Sequence, residues 1–330
     1  MTPAAADRPL ATMLVLAYQQ EATIEQAIRG ALAQTYTPLE IVISDDASTD
    51  STWDTIQRAV AGYGGTHRLL LNRNPGNLGI GAHINRMVAL SHGELLFVAA
   101  GDDISLPQRC ERVVDAWLAA GGRPDLISSQ LLDLDENGNV HAPIVPTDLS
   151  TYRNAADWLA RPPHVIGAAQ AWTRRVFDRF GPLPPGSVAE DWLMVLRAIL
   201  AGGAVTLAEP LVLYRRGGIS RRRRNLHAHD VVERLLKNNR HALVELPQLL
   251  ADAKRSGQLE AVEDALSLQF EREVFVRDVF GATGFSARWQ AFVTASRVPV
   301  MLRLRLLAYA AWPALLAPFF ALKRWSAGRR

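Results

Sequence analysis

From residue 12 onward, short runs of aliphatic and β-branched residues alternate with stretches in which apolar positions recur every three or four residues. Residues 12–17 (TMLVLA) read as a strand, and Ile24, Ala27, Ile28, Ala31 and Leu32 then fall on one face of a helix. The cycle repeats with a strand at 39–44 and a helix at 51–61, and again with a strand at 68–71 and a helix near 82–90. A fourth strand follows at 94–99. Uninterrupted apolar strands separated by amphipathic helices predict an α/β fold built on a mostly parallel, Rossmann-like sheet covered on both faces. Such sheets bind ligands at the carboxyl ends of their strands.

After residue 126 the pattern loosens into turn-rich sequence around 135–138, with Pro162, Pro163, Pro182, Pro184 and Pro185 further on. From 226 to 297 it becomes helical, with Val231, Val232, Leu235 and Leu236 as one apolar stripe. The expected division is a domain at 1–225, with a nucleotide-binding half at about 10–125 and an acceptor half at about 126–225, followed by a helical extension at 226–330. Residues 306–322 form a 17-residue uncharged stretch flanked by Arg303, Arg305, Lys323, Arg324, Arg329 and Arg330. Wholly helical it would span about 25 Å, short for a bilayer, and two internal prolines interrupt it. It reads equally as an interfacial membrane anchor and as a buried terminal helix.

Charge sharpens this division. Residues 1–214 carry 15 Lys and Arg against 23 Asp and Glu, whereas residues 215–330 carry 21 against 10. The basic second part is expected to meet something anionic, with phosphate, nucleic acid and lipid headgroups as the choices. With 48% hydrophobic and 21% charged residues the chain can build a real core. A single cysteine, Cys110, excludes an internal disulfide and suits a reducing compartment. Residues 1–10 lack a basic head followed by an apolar run, so the expected location is cytoplasmic, peripheral at the cytoplasmic face of the membrane.

Three acidic pairs carry the candidate chemistry. Asp45-Asp46 and Asp102-Asp103 lie just past strand ends, and Glu190-Asp191 opens a helix-like stretch, EDWLMVLRAIL. Adjacent carboxylates repel unless a cation or hydrogen-bond donors occupy the site, and a hard divalent ion such as Mg²⁺ or Mn²⁺ meets that need while bridging to a diphosphate. Each pair alone also serves as a turn former or helix cap. Their ordered occurrence points to transfer from a nucleotide diphosphate.

The runs TMLVLAYQQEATIEQAIRGALAQTYTPLEIVISDDASTDST, NLGIGAHINRMVALSHGELLFVAAGDDISLPQR, FGPLPPGSVAEDWLMVLRAI and PLVLYRRGGIS, in that order across about residues 10–220, resemble family-two glycosyltransferases of the GT-A fold. The resemblance implies an inverting, non-processive transferase. It implies that Ala17, Tyr18, Gln19 and Glu21 line the nucleotide pocket and that Asp45 accepts a hydrogen bond from the nucleobase. It implies further that Asp102 faces ribose or metal, that Asp103 is the metal ligand and that Asp191 is the catalytic base. The implied partners are a nucleotide-diphospho-sugar donor and a saccharide or lipid-linked saccharide acceptor, in surface polysaccharide or glycoconjugate synthesis.

Two positions depart from the family pattern. Ala100 stands where many relatives have an acid, and Tyr214-Arg215 runs into Arg216-Gly217-Gly218 where many carry a histidine. The Gln-X-X-Arg-Trp element of processive synthases is absent. Arg215, Arg216, Arg221 and the rest of the 221–224 run suit diphosphate geometrically, and equally suit a solvated or lipid-facing patch. With no aromatic platform among them, nucleic acid is not an expected partner. His164, His227 and His229 read as ordinary surface or packed residues, and at least two of Trp158, Trp172 and Trp192 as core. A Rossmann oxidoreductase or a sugar nucleotidyltransferase would need a glycine-rich turn after the first strand, and residues 17–21 contain no glycine. A binding module that has lost catalysis is the remaining alternative, and intact Asp103 and Asp191 argue against it.

Overall fold

The computed structural model describes residues 8–215 and 228–312. The chain divides into two compact units, residues 1–220 with 255–258, and residues 221–254 with 259–330.

The first unit is built on a nine-stranded sheet. Its parallel part runs β3 (Arg68–Arg73), β2 (Leu39–Asp45), β1 (Ala11–Ala17), β4 (Leu95–Ala100). Every residue of β2 and all but one of β1 are buried, as expected of central strands covered on both faces. Between them run α1 (Ile24–Leu32), α2 (Thr52–Val60) and α3 (Ile80–Leu90), close to the predicted ranges. α1 buries Ile24, Ala27, Ile28, Gly30 and Ala31, the face that its spacing predicts.

β5 (Ile104–Ser105) and α4 (Arg109–Ala119) follow β4. A Cβ on Gly30 would stand 2.8 Å from Ser105 O, so glycine lets α1 lie against β5.

The stretch that the sequence renders as loose and turn-rich contains four further strands: β6 (Leu126–Leu134), β7 (Val140–Ile144), β8 (Ala171–Thr173) and β9 (Ala204–Arg215). β8 joins β4 to β6 antiparallel, and β9 lies parallel to β6 from Leu126↔Ala204 to Leu134↔Arg215. The sheet as a whole is therefore mixed, parallel in its first half. These strands escape an apolar pattern because β6 buries polar Ser128, Ser129 and Asp133, while β9 contains Glu209 and Pro210 at its register shifts. β5 pairs antiparallel with β9, Ile104 opposite Leu213, which brings Arg215 beside residues 102–103. Three helices, α5 (Ala155–Ala160), α6 (Arg174–Phe180) and α7 (Glu190–Ile199), complete this unit.

The second unit is helical: α8 (Ala228–Arg255), α9 (Glu263–Gly281), α10 (Phe285–Thr294) and α11 (Val300–Ala311). Its core gathers Phe275, Val276, Val279, Phe292, Val298 and Leu306, with Leu235 and Leu236 of the predicted stripe packed against it. Asn239 ties α8 to α9 by donating to Glu273 O and Oε2 at 2.7 and 2.8 Å. Among the described residues no helix is long and apolar enough to cross a membrane. Of the segment 306–322, Leu306 is buried and Leu307, Tyr309 and Ala310 pack against the core. Residues 313–322 lie outside the described residues.

Candidate active site

The carboxyl ends of β1 and β2 align, Ala17 opposite Asp45, with Arg73 of β3 opposite Asp45 in turn. The turns that follow β1 and β2 are stitched together. Gln19, at φ 53°, donates its N–H to Ser48 Oγ at 2.9 Å and its side-chain amide to Thr49 Oγ1 at 2.8 Å. Gln20 N–H donates to Thr52 Oγ1 at 2.8 Å. Glu21 and Asp50 cap each other's segments, with Ser51 N–H donating to Glu21 Oε2 at 2.9 Å and Glu21 N–H to Asp50 Oδ2 at 3.2 Å. Glu21 thus builds the wall of this edge, while the Tyr18 side chain is half exposed on it.

Asp45 is fully buried. Its carboxylate accepts from Ser48 N–H and Oγ–H and from Arg73 Nε at 3.2 Å. A carboxylate offers about four lone-pair sites, so these contacts orient it and leave capacity for a further donor. Asp46 holds the next loop: it accepts from Asn74 Nδ2 at 2.8 Å, Leu78 N–H at 2.9 Å and Gly79 N–H at 3.0 Å. Behind it, Asn72 donates to Ser44 Oγ and Asn74 Oδ1, and the buried His83 ring lies 2.7 Å from Ser44 Oγ. Burial pushes this imidazole below its ordinary pKa, against the pull of Asp46 and Asp45.

Asp102 and Asp103 follow β4 through Gly101. A Cβ there would meet Gln20 Oε1 at 2.3 Å and Leu16 O at 2.8 Å, so only glycine allows this edge to close on the end of β1. Burial pushes both carboxyls up, and Asp103, with the charge of Asp102 beside it, rises to about 8. Arg215 clasps the pair: its N–H donates to Asp103 Oδ1 at 2.8 Å, its Nε to Asp102 O at 3.1 Å and its Nη2 to Gln26 Oε1 at 2.7 Å. Arg216 and the run at 221–224 lie outside the described residues.

Asp191 sits in the first turn of α7, its Oδ1 accepting its neighbour's N–H from Trp192 at 2.8 Å. Two buried residues that the sequence did not single out connect it to the Asp102-Asp103 edge. Arg109 donates to Gln170 O at 3.2 Å and Ser105 Oγ at 2.9 Å, and its charge opposes the rise of the Asp103 pKa. Gln170 donates to Asp191 O at 3.4 Å and accepts from Trp172 Nε1 at 2.8 Å. Arg109 falls on the apolar stripe of α4 with Val113 and Trp117, and a charge at such a position was the available signal. Gln170 gave none. Trp158 and Trp172 are core, and Trp192 leans on Trp158 with centroids 4.3 Å apart.

Residues 12–165 match the model of glycosyl transferase family 2. The chain contains a family-2 glycosyltransferase domain. EpsE of Bacillus subtilis is 30% identical over 42% of this chain, and the chain spans about half the length of that relative, 49%. The succinoglycan biosynthesis protein ExoO of Rhizobium meliloti is 29% identical over 79% of this chain and 77% of its own length. The fold of the family-2 domain and its helical extension is similar to that of the mannosyltransferase PcManGT from Pyrobaculum calidifontis, solved in complex with GDP-Man and Mn²⁺. The two share a TM-score of 0.53 and 19% identity, over 97% of this chain and 85% of the other. The fold is thus GT-A.

Among the described residues no three His, Cys, Asp or Glu side chains converge on a metal site. The family-2 domain offers instead two adjacent carboxyls, one of them held well above its ordinary pKa by burial and by the other. Such a donor set fits a hard divalent cation that takes most of its oxygens from a diphosphate and water.

Proposed function

We propose that the protein is an inverting glycosyltransferase that moves one sugar from a nucleotide-diphospho-sugar to an acceptor hydroxyl. The observation that supports it most is the Asp102-Asp103 pair at the carboxyl edge of the family-2 sheet, Asp103 buried and Asp102 half-buried, clasped by Arg215. A carboxyl pushed up to about 8 in a protein site is a poor structural choice and a good place for a cation to bind.

In this reading Ala17, Tyr18, Glu21, Asp45 and Asp102 form the nucleoside side of the pocket, with Asp45 accepting from the base. Asp103, helped by Asp102, would hold Mg²⁺ or Mn²⁺, which neutralises the departing diphosphate. Arg215 adds a fixed positive charge beside the diphosphate, with Arg216 and Arg221 following it in sequence. Asp191 takes the proton of the acceptor hydroxyl as its oxygen attacks the anomeric carbon. The bond from that carbon to the diphosphate oxygen breaks, and the nucleoside diphosphate leaves with the electron pair, so the anomeric configuration inverts. The name of ExoO supports a place in polysaccharide synthesis. The acceptor in this reading is a saccharide or lipid-linked saccharide, worked on peripherally at the cytoplasmic face of a membrane, and the basic charge of residues 215–330 is what supports that placement.

Donor binding and transfer separate the two acids. Asp103→Asn removes a charged ligand of a hard cation, so metal-dependent donor binding by calorimetry and transfer should fall together. Asp191→Asn keeps the shape and removes the base, which should cost about a hundred- to ten-thousand-fold in transfer rate while donor affinity stays near the parent's. Parent-like turnover by Asp191→Asn with a true acceptor would unseat Asp191 and make Glu190 the next carboxylate to test.

A further inference from the structure

The helical unit turns large apolar side chains outward on two of its helices. On α10, Phe285, Trp289 and Val293 follow one another at four-residue spacing and are all exposed, Phe285 at 72%. On α11, Val300, Met301 and Leu304 are exposed, Met301 at 74%, and Trp312 just beyond it at 68%. Phe292, flanking the exposed stripe of α10, and Leu306, on the far side of α11 from Met301, pack into the core. The outer side chains are held in place: Trp289 stacks on Phe285 at 6.1 Å and on buried Phe292 at 5.1 Å, a ladder from core to solvent.

Charge selects the occupant. Residues 279–330 contain eight Lys and Arg and no Asp or Glu. On these helices Arg305 is exposed and Arg288 half-buried, while Arg303 lies over the Phe292 ring at 4.7 Å and Arg297, between the helices, pairs with Glu271 at 2.7 Å. A second copy of the same face would set arginines against arginines, and residues 313–330 of the chain bring only further cations. An apolar surface with Trp and Phe among arginines suits the headgroup boundary of an anionic bilayer, where aromatic rings settle at the interface and each cation near the surface adds attraction.

We propose that α10 and α11 form a docking face for an anionic lipid surface, through Phe285, Trp289, Val293, Met301 and Leu304 with the neighbouring arginines. This rests on the peripheral membrane placement proposed above and moves its seat: the exposed apolar surface lies before residue 306, while the start of the 306–322 segment is core.

The test is flotation of the full chain with vesicles of phosphatidylcholine alone or mixed with phosphatidylglycerol. The parent should float with the mixed vesicles and only weakly with phosphatidylcholine. Phe285→Ser/Trp289→Ser/Met301→Ser should lower the partition coefficient about tenfold or more, with its circular dichroism melt close to the parent's. Arg305→Gln, which leaves the apolar side chains in place, should lower binding less and reduce its salt dependence. A triple variant that floats like the parent overturns this face and leaves the placement standing. A parent that stays in solution overturns both, and a self-association of the parent that the triple variant abolishes overturns this face as a lipid surface. Donor hydrolysis without lipid reports the transfer chemistry separately and should be the same in parent and triple variant.

Discussion

Asp103 shows how a functional side chain can work against the fold that carries it. Its carboxyl is nearly buried, beside another acid, and its compensation is one backbone N–H from Arg215 and the charges of Arg109 and Arg215. Asn at this position keeps an oxygen for that N–H and removes a carboxyl that folding must hold protonated well above its ordinary pKa. In metal-free buffer at neutral pH, Asp103→Asn should therefore melt above the parent, because a carboxyl whose pKa is raised on folding destabilises the fold above its unfolded pKa. Glu40 is the opposite case. Burial tends to raise its pKa, but His92 N–H at 2.8 Å, the His92 ring at 3.0 Å and the Thr12 hydroxyl at 2.9 Å outweigh this and hold it below its ordinary value. A carboxyl that is more acidic in the folded chain stabilises it above the unfolded pKa, about 4.3 for Glu, and that stability is lost as pH falls through the lower folded value. Glu40→Gln should cost about 1–3 kcal/mol near neutrality, because it leaves donors facing an amide. Below about pH 4.5 its melting temperature should fall less steeply than the parent's.

At the scale of elements, what the sequence made legible depends on where each strand puts its polar residues. β1, β2 and β4 are covered on both faces and read as unbroken apolar runs, so their predicted ranges differ from the observed ones by only a residue or two. The acidic pairs after β2 and β4 were visible for the same reason, since a carboxylate stands out after LEIVIS or ELLFVAAG. β6 buries Ser128, Ser129 and Asp133 among aliphatics, β9 is only partly buried along most of its length, and β8 is three residues long, so neither period nor length announces them. Yet β9 is the strand that delivers Arg215 to Asp103, and β8 follows directly on Gln170. Contacts between segments 61 and 112 residues apart, Arg109 to Gln170 and Asp103 to Arg215, have no local signal. Gly101 was legible only as part of GDD, and its reason is the backbone of β1. Gly101→Ala would press a Cβ onto Leu16 O, which cannot rotate away, and should cost about 1–3 kcal/mol. Because the strain falls between the Gln20 turn and the Asp102-Asp103 pair, donor affinity should drop more than the melting point suggests.

Over the whole molecule, the split in charge coincides with a split in architecture: an acidic α/β unit that carries the carboxylates and a basic helical unit with its own core. Hydropathy alone left the segment 306–322 open between anchor and core, because an uncharged run of that length serves both. Packing separates the two inside α11, where Leu306 faces Phe275, Val276 and Phe292 in the core cluster while Met301, five residues earlier, faces out. The two side chains should therefore respond in opposite ways. Leu306→Ala opens a cavity in the helical core and should destabilise that unit by about 2–5 kcal/mol, read by hydrogen exchange of α9, α10 and α11. Met301→Ala removes an exposed side chain and should stay within about 0.5 kcal/mol of the parent, with its loss felt in vesicle binding instead. If Leu306→Ala left exchange unchanged and abolished flotation, Leu306 would belong to the lipid face, and the core would have to close without it.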